Sequence, residues 1–299
     1  MSIAEHEFGG VSTDLKLAVV EGYLRAFTTA LRPYFRELWY IDAFAGTGER
    51  TERLDAHDGT LFDPATPERI ERHRGSATIA IDIEPPFDRI VFIERNPKHC
   101  AALELLRDMH PRRDIQVRKG VAEKELATLL GRRNWESTRA VMFLDPYGMS
   151  VPWEILEAIS STRAIDVWYL VSLSGLFRQA TLDWTAMDAG KRAAITRMLG
   201  TSEWESKWYE RSDTTDLFGT VDEQHQRTAD VDKIESFVRK RLETIFPKVL
   251  SPLRLHTKQG APMFALFFAI ANPDPKAIGL ATKIAGHMLK VGRSSHTRP

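Results

Sequence analysis

The chain has 299 residues, 43% hydrophobic and 27% charged, which is the composition of a globular protein of one or two domains and excludes a disordered or collagen-like chain. Its 41 Lys+Arg balance 41 Asp+Glu, so the broad basic surface of a histone-like or ribosomal wrapper is excluded and any nucleic-acid contact needs a local patch. A single cysteine, Cys100, excludes an intrachain disulfide, a four-Cys zinc site and a protein-held iron–sulfur cluster.

Taken in chain order, the N-terminal MSIAEHEFGG lacks the basic start and apolar run of a secretory signal, and no later run approaches the roughly 18 apolar residues of a membrane span. The expectation is a cytoplasmic protein with no membrane association. Leu17, Val20, Leu24, Phe27 and Leu31 recur at helical spacing, which predicts a helix over 13–31 stopped by Pro33. LWYIDAF, 38–44, is a short apolar run entering a glycine turn and predicts a buried strand. Residues 50–74, polar with scattered Pro and Gly, read as a long loop, and 76–84 as a short helix. RIVFIE (89–94), DIQVRKG (114–120), AVMFLD (140–145) and AIDVWYLVSL (164–173) predict four further strands. A helix follows the first of these through Leu103, Leu106 and Met109. Another follows the third, with Ser150 as its cap and Pro152 in its first turn. The next 75 or so residues read as helical and charged, with Val231, Ile234, Val238, Leu242 and Ile245 on one face. Residues 252–273 predict an antiparallel hairpin around Lys258-Gln259-Gly260, and a last helix spans about 275–290.

Strand and helix alternate over 38–175, so the fold class is α/β, with a mostly parallel sheet covered by helices on both faces. Five parallel strands closed by an antiparallel hairpin give the strand sequence of a Rossmann-like class I methyltransferase. The expected organisation is one domain, 1–299, with a long loop at 50–74 and a helical cap at about 176–247.

Three places could carry chemistry. In open parallel sheets, ligands sit beyond the carboxyl ends of the strands. Asp42, Phe44, Gly46 and Gly48 form D-x-F-x-G-x-G at such an end. The third glycine of a dinucleotide fingerprint is missing, and an acid before the glycines suits an ammonium better than a pyrophosphate. S-adenosyl-L-methionine has that ammonium and no phosphate; the alternative is a plain glycine turn. Glu94 ends the next strand, where an acid can accept hydrogen bonds from two ribose hydroxyls or simply cap Asn96-Pro97. Asp145-Pro146-Tyr147-Gly148 is the most specific local signal. Proline fixes φ, a carboxylate and a carbonyl can accept from an exocyclic amine, and an aromatic offers a face to a planar base. It resembles the D-P-P-Y corner of amino-methyltransferases and, more closely, the D-P-F-G corner of tRNA guanine-N2 methyltransferases. The alternative is a structural turn with no base in it. The histidines show no H-x-H or H-E-x-x-H spacing, so no metal site is expected. Ser172 and Ser174 lack a G-x-S-x-G elbow, and Trp204, Trp208 and Tyr209 read as a structural aromatic cluster.

Together the motifs resemble the three-Cys-motif partner proteins (TcmP). The resemblance covers most of the chain: KLAVVEGYLRAFTTAL, YIDAFAGTG, FDRIVFIERNPKHCAALELL, FLDPYGMSVPWEILEAI, DVWYLVSLSG and GAPMFALFFAIANP, in that order. It implies a methyltransferase-like fold and a protein bearing three cysteines as partner. Relatives commonly carry Gly-Asp-Ala after the third strand, where methyltransferases bind the adenine amino group; this chain has Gly120-Val121-Ala122. Three readings follow: methylation of a nucleobase amine, with a nucleic acid as substrate; a methyltransferase-like scaffold for a three-Cys protein; and an NAD-linked oxidoreductase, disfavoured by the missing glycine.

Overall fold

Five of the strands are apolar over nearly their whole length because both faces of their sheet are covered. In the computed structural model, which describes residues 11–54, 69–131, 134–215, 221–257 and 260–296, the chain begins with helix α1 (Val11–Leu31) and strand β1 (Glu37–Asp42). There follow β2 (Glu49–Leu54), β3 (Arg69–Arg74), α2 (Ser76–Ile81), β4 (Arg89–Glu94), α3 (Pro97–Met109), β5 (Ile115–Lys119), α4 (Ala122–Gly131), β6 (Thr138–Leu144), α5 (Trp153–Ser161) and β7 (Ile165–Ser172). Next come α6 (Leu173–Gln179), α7 (Ala189–Leu199), α8 (Glu203–Trp208), β8 (Tyr209–Thr215), β9 (Val221–Arg227) and α9 (Val231–Glu243). The chain closes with β10 (Lys248–Val249), β11 (Leu253–His256), β12 (Pro262–Ile270) and α10 (Pro275–His296).

The central sheet runs β10-β12-β7-β6-β1-β4-β5, with β11 also pairing β12. β5, β4, β1, β6 and β7 are parallel; β12 runs against β7, and β10 and β11 run against β12. This is the expected Rossmann-like, methyltransferase-like order, with the hairpin at the end of the sheet. The chain leaves β1 towards β4 and β5 on one side, then returns to β6 and β7 on the other. The switch point therefore lies between β1 and β6, where ligands of open α/β sheets bind.

Successive residues of each strand point to opposite faces, and the core divides accordingly. Leu38, Tyr40, Phe92, Val141, Phe143, Trp168 and Phe268 pack under α1, α2, α3 and α10. Trp39, Ile41, Ile93, Met142, Leu144 and Phe267 pack under α4, α5, α6 and α9. Val19, Val20, Tyr23, Leu24 and Phe27 seat α1, each at most 4% exposed. At about 1.5–3 kcal/mol per fully buried large side chain, this helix is fixed by packing rather than by propensity.

Four sequence readings are corrected. Residues 50–74 are not all loop: Glu49–Leu54 pairs antiparallel with Arg69–Arg74. Neither segment is apolar, so no burial signal marks it as strand. The centre of that loop, 55–68, lies outside the described residues. Helix α4 was not foreseen, although Leu126, Leu129 and Leu130 make its buried stripe. Ser150 does not cap α5; Pro152 stands at the N-cap position, with no side-chain cap bond. The cap is not wholly helical, because β8 and β9 form a two-stranded ribbon in it.

The cap rests directly on the sheet layer. A Cβ on Gly200, the left-handed residue ending α7, would lie 2.2 Å from the Trp153 ring of α5. Arg241 stacks 4.6 Å from that same ring and donates to the Leu199 carbonyl at 3.0 Å. Trp184, Trp204, Trp208 and Tyr209 form an aromatic core beneath it, as the structural reading of that cluster expected.

Candidate active site

The carboxyl ends of β1, β4 and β6 bring Asp42, Glu94 and Asp145 to one edge of the sheet. Asp42 and Phe143 are register partners in adjacent strands, as are Asp42 and Phe92. Asp145 and Glu94 therefore each lie two residues beyond Asp42 on its flanking strands. The field of Asp145 reaches Asp42, and the fields of Glu94 and Asp145 both reach the Tyr147 hydroxyl.

Asp42 is completely buried. Its carboxylate accepts the Phe44 N–H at 3.1 Å and the Tyr40 hydroxyl at 3.4 Å. Burial pushes its carboxyl up to about 6, against the lowering effect of the Ser76 hydroxyl and the Phe44 N–H. It thus holds the glycine turn from beneath and presents no surface to a ligand. Phe44 is half-buried and packs on the core.

The two glycines of the turn have different reasons to be glycine. Both have left-handed backbone, φ +62° at Gly46 and +80° at Gly48. A Cβ on Gly48 would come within 2.9 Å of the Leu106 side chain, so that residue serves the packing of α3. Its carbonyl accepts from Gly75 N–H at 2.8 Å and from Thr78 Oγ1 at 2.7 Å, tying the turn to α2. A Cβ on Gly46 would meet nothing within 4 Å. Gly46 alone borders open space.

Glu94 is 6% exposed and accepts two backbone donors: Gly46 N–H at 3.1 Å and Asn96 N–H at 2.8 Å. Asn96 in turn caps α3 by accepting the Lys98 N–H at 2.9 Å. Both readings of Glu94 therefore describe it: it braces a helix start, and it sits at the glycine turn. Each carboxylate oxygen has a second lone pair for a further donor. His99 Nδ1 lies 3.7 Å from its Oε2, buried and without a hydrogen bond.

Asp145, Pro146 and Tyr147 leave β6 as a corner. Pro146 is buried, Tyr147 is 71% exposed, and Gly148 turns the chain with φ +67°. The structure adds a residue that the sequence reading missed. Lys16 of α1, 7% exposed, makes an ion pair with Asp145 Oδ2, and its ammonium lies 5.7 Å from the Phe143 ring centre. A signal was present: Lys16 falls at helical spacing with Val20, Tyr23 and Phe27, a cation on an apolar face. The Asp145 side chain remains 30% exposed, which leaves room for an acceptor group at its second oxygen.

After β5, Val121 is 52% exposed, and the adjoining Gly120 N–H donates to the Glu94 carbonyl at 2.9 Å. The position that carries aspartate in the resembled family thus adjoins the Glu94 strand end and offers an apolar surface.

No family model matches the chain, and no curated protein matches it. Among solved structures it is similar to the Legionella pneumophila protein LPL1258, of the family model DUF519, at 14% identity over 94% of each chain and a TM-score of 0.51. The N-terminal domain of EvdMO1, solved with SAH bound, aligns at 12% identity over 83% of this chain and 79% of that one, with a TM-score of 0.39. The first likeness concerns the fold. Sheet order and overall arrangement make this chain a mixed α/β, methyltransferase-like protein. Among the described residues, no helix is long and apolar enough to cross a membrane.

Proposed function

We propose that this chain is an S-adenosyl-L-methionine-dependent methyltransferase acting on the exocyclic amine of a nucleobase. The observation that carries the reading is the convergence of Glu94, the Gly46 turn and the Asp145-Pro146-Tyr147 corner on one sheet edge at the switch point. The cofactor would supply a methyl group activated on a sulfonium. The residues present fit it: Gly46 leaves its turn clear, and the Glu94 carboxylate, fixed by two backbone donors, retains capacity for the ribose hydroxyls. Asp42 shapes the turn and adds negative potential beneath a bound ammonium. Asp145 and the Pro146 carbonyl accept from the amine and aim its lone pair, while Tyr147 lies against the base. Methyl transfer is an in-line displacement, so such positioning supplies much of the acceleration, and a neutral amine asks for no strong base.

A second reading has two observations in its favour. Lys16 occupies one oxygen of Asp145, and Val121 replaces the expected adenine-binding acid. Both suit a methyltransferase-like scaffold that holds a three-Cys-motif protein without turnover.

A labelled-methyl assay on RNA, DNA and protein extract, run with wild type and Asp145→Ala, separates the two. The methyltransferase reading expects label on nucleic acid and a fall of about two to three orders of magnitude in the variant, by analogy with loss of an oxyanion donor. Equal labelling by both proteins would remove Asp145 from the chemistry. Cofactor binding with no labelled acceptor would favour the scaffold.

A further inference from the structure

Arg227, at the end of β9 in the cap, is the least satisfied cation among the described residues. Its guanidinium carbon lies 3.4 Å from the centre of the Phe177 ring. Its Nε and Nη1 are buried and have no hydrogen-bond partner. No carboxylate answers its charge: burial lowers its pKa, and the one opposing influence is the Tyr209 hydroxyl, which itself donates to the Thr181 carbonyl at 2.6 Å. A buried donor left unmade costs about 1–3 kcal/mol, so two on one guanidinium call for an acceptor. A planar cation fixed on an aromatic face, with its in-plane N–H groups unused, is pre-organised for a bidentate oxyanion such as a phosphate.

Its place in the fold says which phosphate. Phe177 lies in α6, which starts from the carboxyl end of β7; Asp145 leaves the carboxyl end of β6, the next strand. Phe177 stands five residues into α6, about 7 Å along its axis. Phe177, Met149 and Phe44 all lie half-buried against the same apolar cluster, so the arginine borders the same edge as the Asp145-Pro146-Tyr147 corner. The chain has no net charge with which to attract a polyanion at large, so an oriented, desolvated arginine beside an exposed tyrosine is the kind of local patch that remains.

We infer that Arg227, stacked on Phe177, is a binding site for a backbone phosphate of a single-stranded nucleic acid whose base lies at Tyr147. This rests on the proposed nucleobase chemistry and extends it by assigning the acceptor's phosphate grip to the cap. Arg227 touches the polynucleotide and not the transferred methyl group, so it governs acceptor affinity.

The test measures binding of fluorescein-labelled single-stranded RNA and DNA oligonucleotides by the full chain over a salt series, beside calorimetry with S-adenosylhomocysteine. The expected result for Arg227→Gln is at least tenfold weaker oligonucleotide binding, a salt slope smaller by about one, and unchanged nucleoside binding. Phe177→Leu, which keeps the charge and removes the platform, should lie between variant and wild type. In wild-type protein the Arg227 Nε–Hε resonance should shift on titration with the oligonucleotide, a readout that survives poor folding of a variant. Unchanged affinity and slope in Arg227→Gln would overturn the assignment, as would failure of the wild type to bind either oligonucleotide. Loss of nucleoside binding in the wild type would instead overturn the methyltransferase reading.

Discussion

The two halves of the site are built differently. Around β1 and β4 the carboxylates are held by backbone donors of the adjoining turns: Asp42 by Phe44, Glu94 by Gly46 and Asn96. All of these partners lie at strand ends that the sheet itself sets side by side. Around β6 the Asp145 carboxylate is held by Lys16, a side chain 129 residues away, and its neighbour Tyr147 projects into solvent. The first half is a rigid seat, made of groups with no freedom to leave. The second half is held by one flexible side chain and is open to exchange. That division suits a cofactor seat beside a place where acceptors must arrive and depart.

The comparison breaks most readily at Glu94. If both ribose hydroxyls donate to it, Glu94→Ala should weaken S-adenosylhomocysteine binding by about 3 kcal/mol or more, over a hundredfold in Kd, measured calorimetrically. Equal affinity in the variant would mean that Glu94 only braces α3.

The rigidity of the seat has a signature in pH. The Asp42 carboxyl sits at about 6 when folded against an ordinary 3.8. Between these values the folded state keeps a proton that the unfolded chain has lost. Stability from this group is therefore greatest below pH 3.8 and falls as pH rises to about 6. The full loss is about 3 kcal/mol at 1.36 kcal/mol per pH unit. Urea midpoints of Asp42→Asn should lack this fall, so the variant gains on the wild type from pH 4 to 7. Parallel profiles would show that Asp42 is paired more fully than its neighbours suggest.

On the β6 side the ion pair should be asymmetric. Asp145→Ala strands the buried Lys16 ammonium and should cost about 2 kcal/mol, at the low end for a broken buried pair because Asp145 is part-exposed. Lys16→Met leaves an aspartate that water can reach and should cost less. The double variant should be more stable than Asp145→Ala alone, as denaturant unfolding would show. Additive losses would refute coupling between the two.

The smallest effect belongs to Tyr147. If its ring stacks on a base, Tyr147→Ala should weaken acceptor binding by about 1–3 kcal/mol while Tyr147→Phe changes little, read by fluorescence anisotropy. Its exposure leaves folding unaffected in either variant.

The same division explains what was legible in the sequence. The five buried strands announce themselves as apolar runs, and the β1 turn by its glycines, because local chemistry fixes both. Glu94 and Asp145 could be placed because strand ends carry ligands in this class of sheet. Lys16 was missed because its partner lies in another element, and a lone lysine on an apolar helical stripe does not name the charge it meets. The β2–β3 and β8–β9 ribbons were missed because polar segments such as ERTERL and RIERHR carry no burial periodicity. Gly46 and Gly48 looked equivalent in the sequence; only the approach of Leu106 separates a packing glycine from one that borders open space.

The central claim is that the β1–β4 edge is a nucleoside seat working with the β6 corner. Titration calorimetry of the wild-type chain with S-adenosylhomocysteine tests it most directly. The account predicts one site per chain with a Kd in the micromolar range, about −8 kcal/mol. No heat and no saturation at millimolar nucleoside would contradict it.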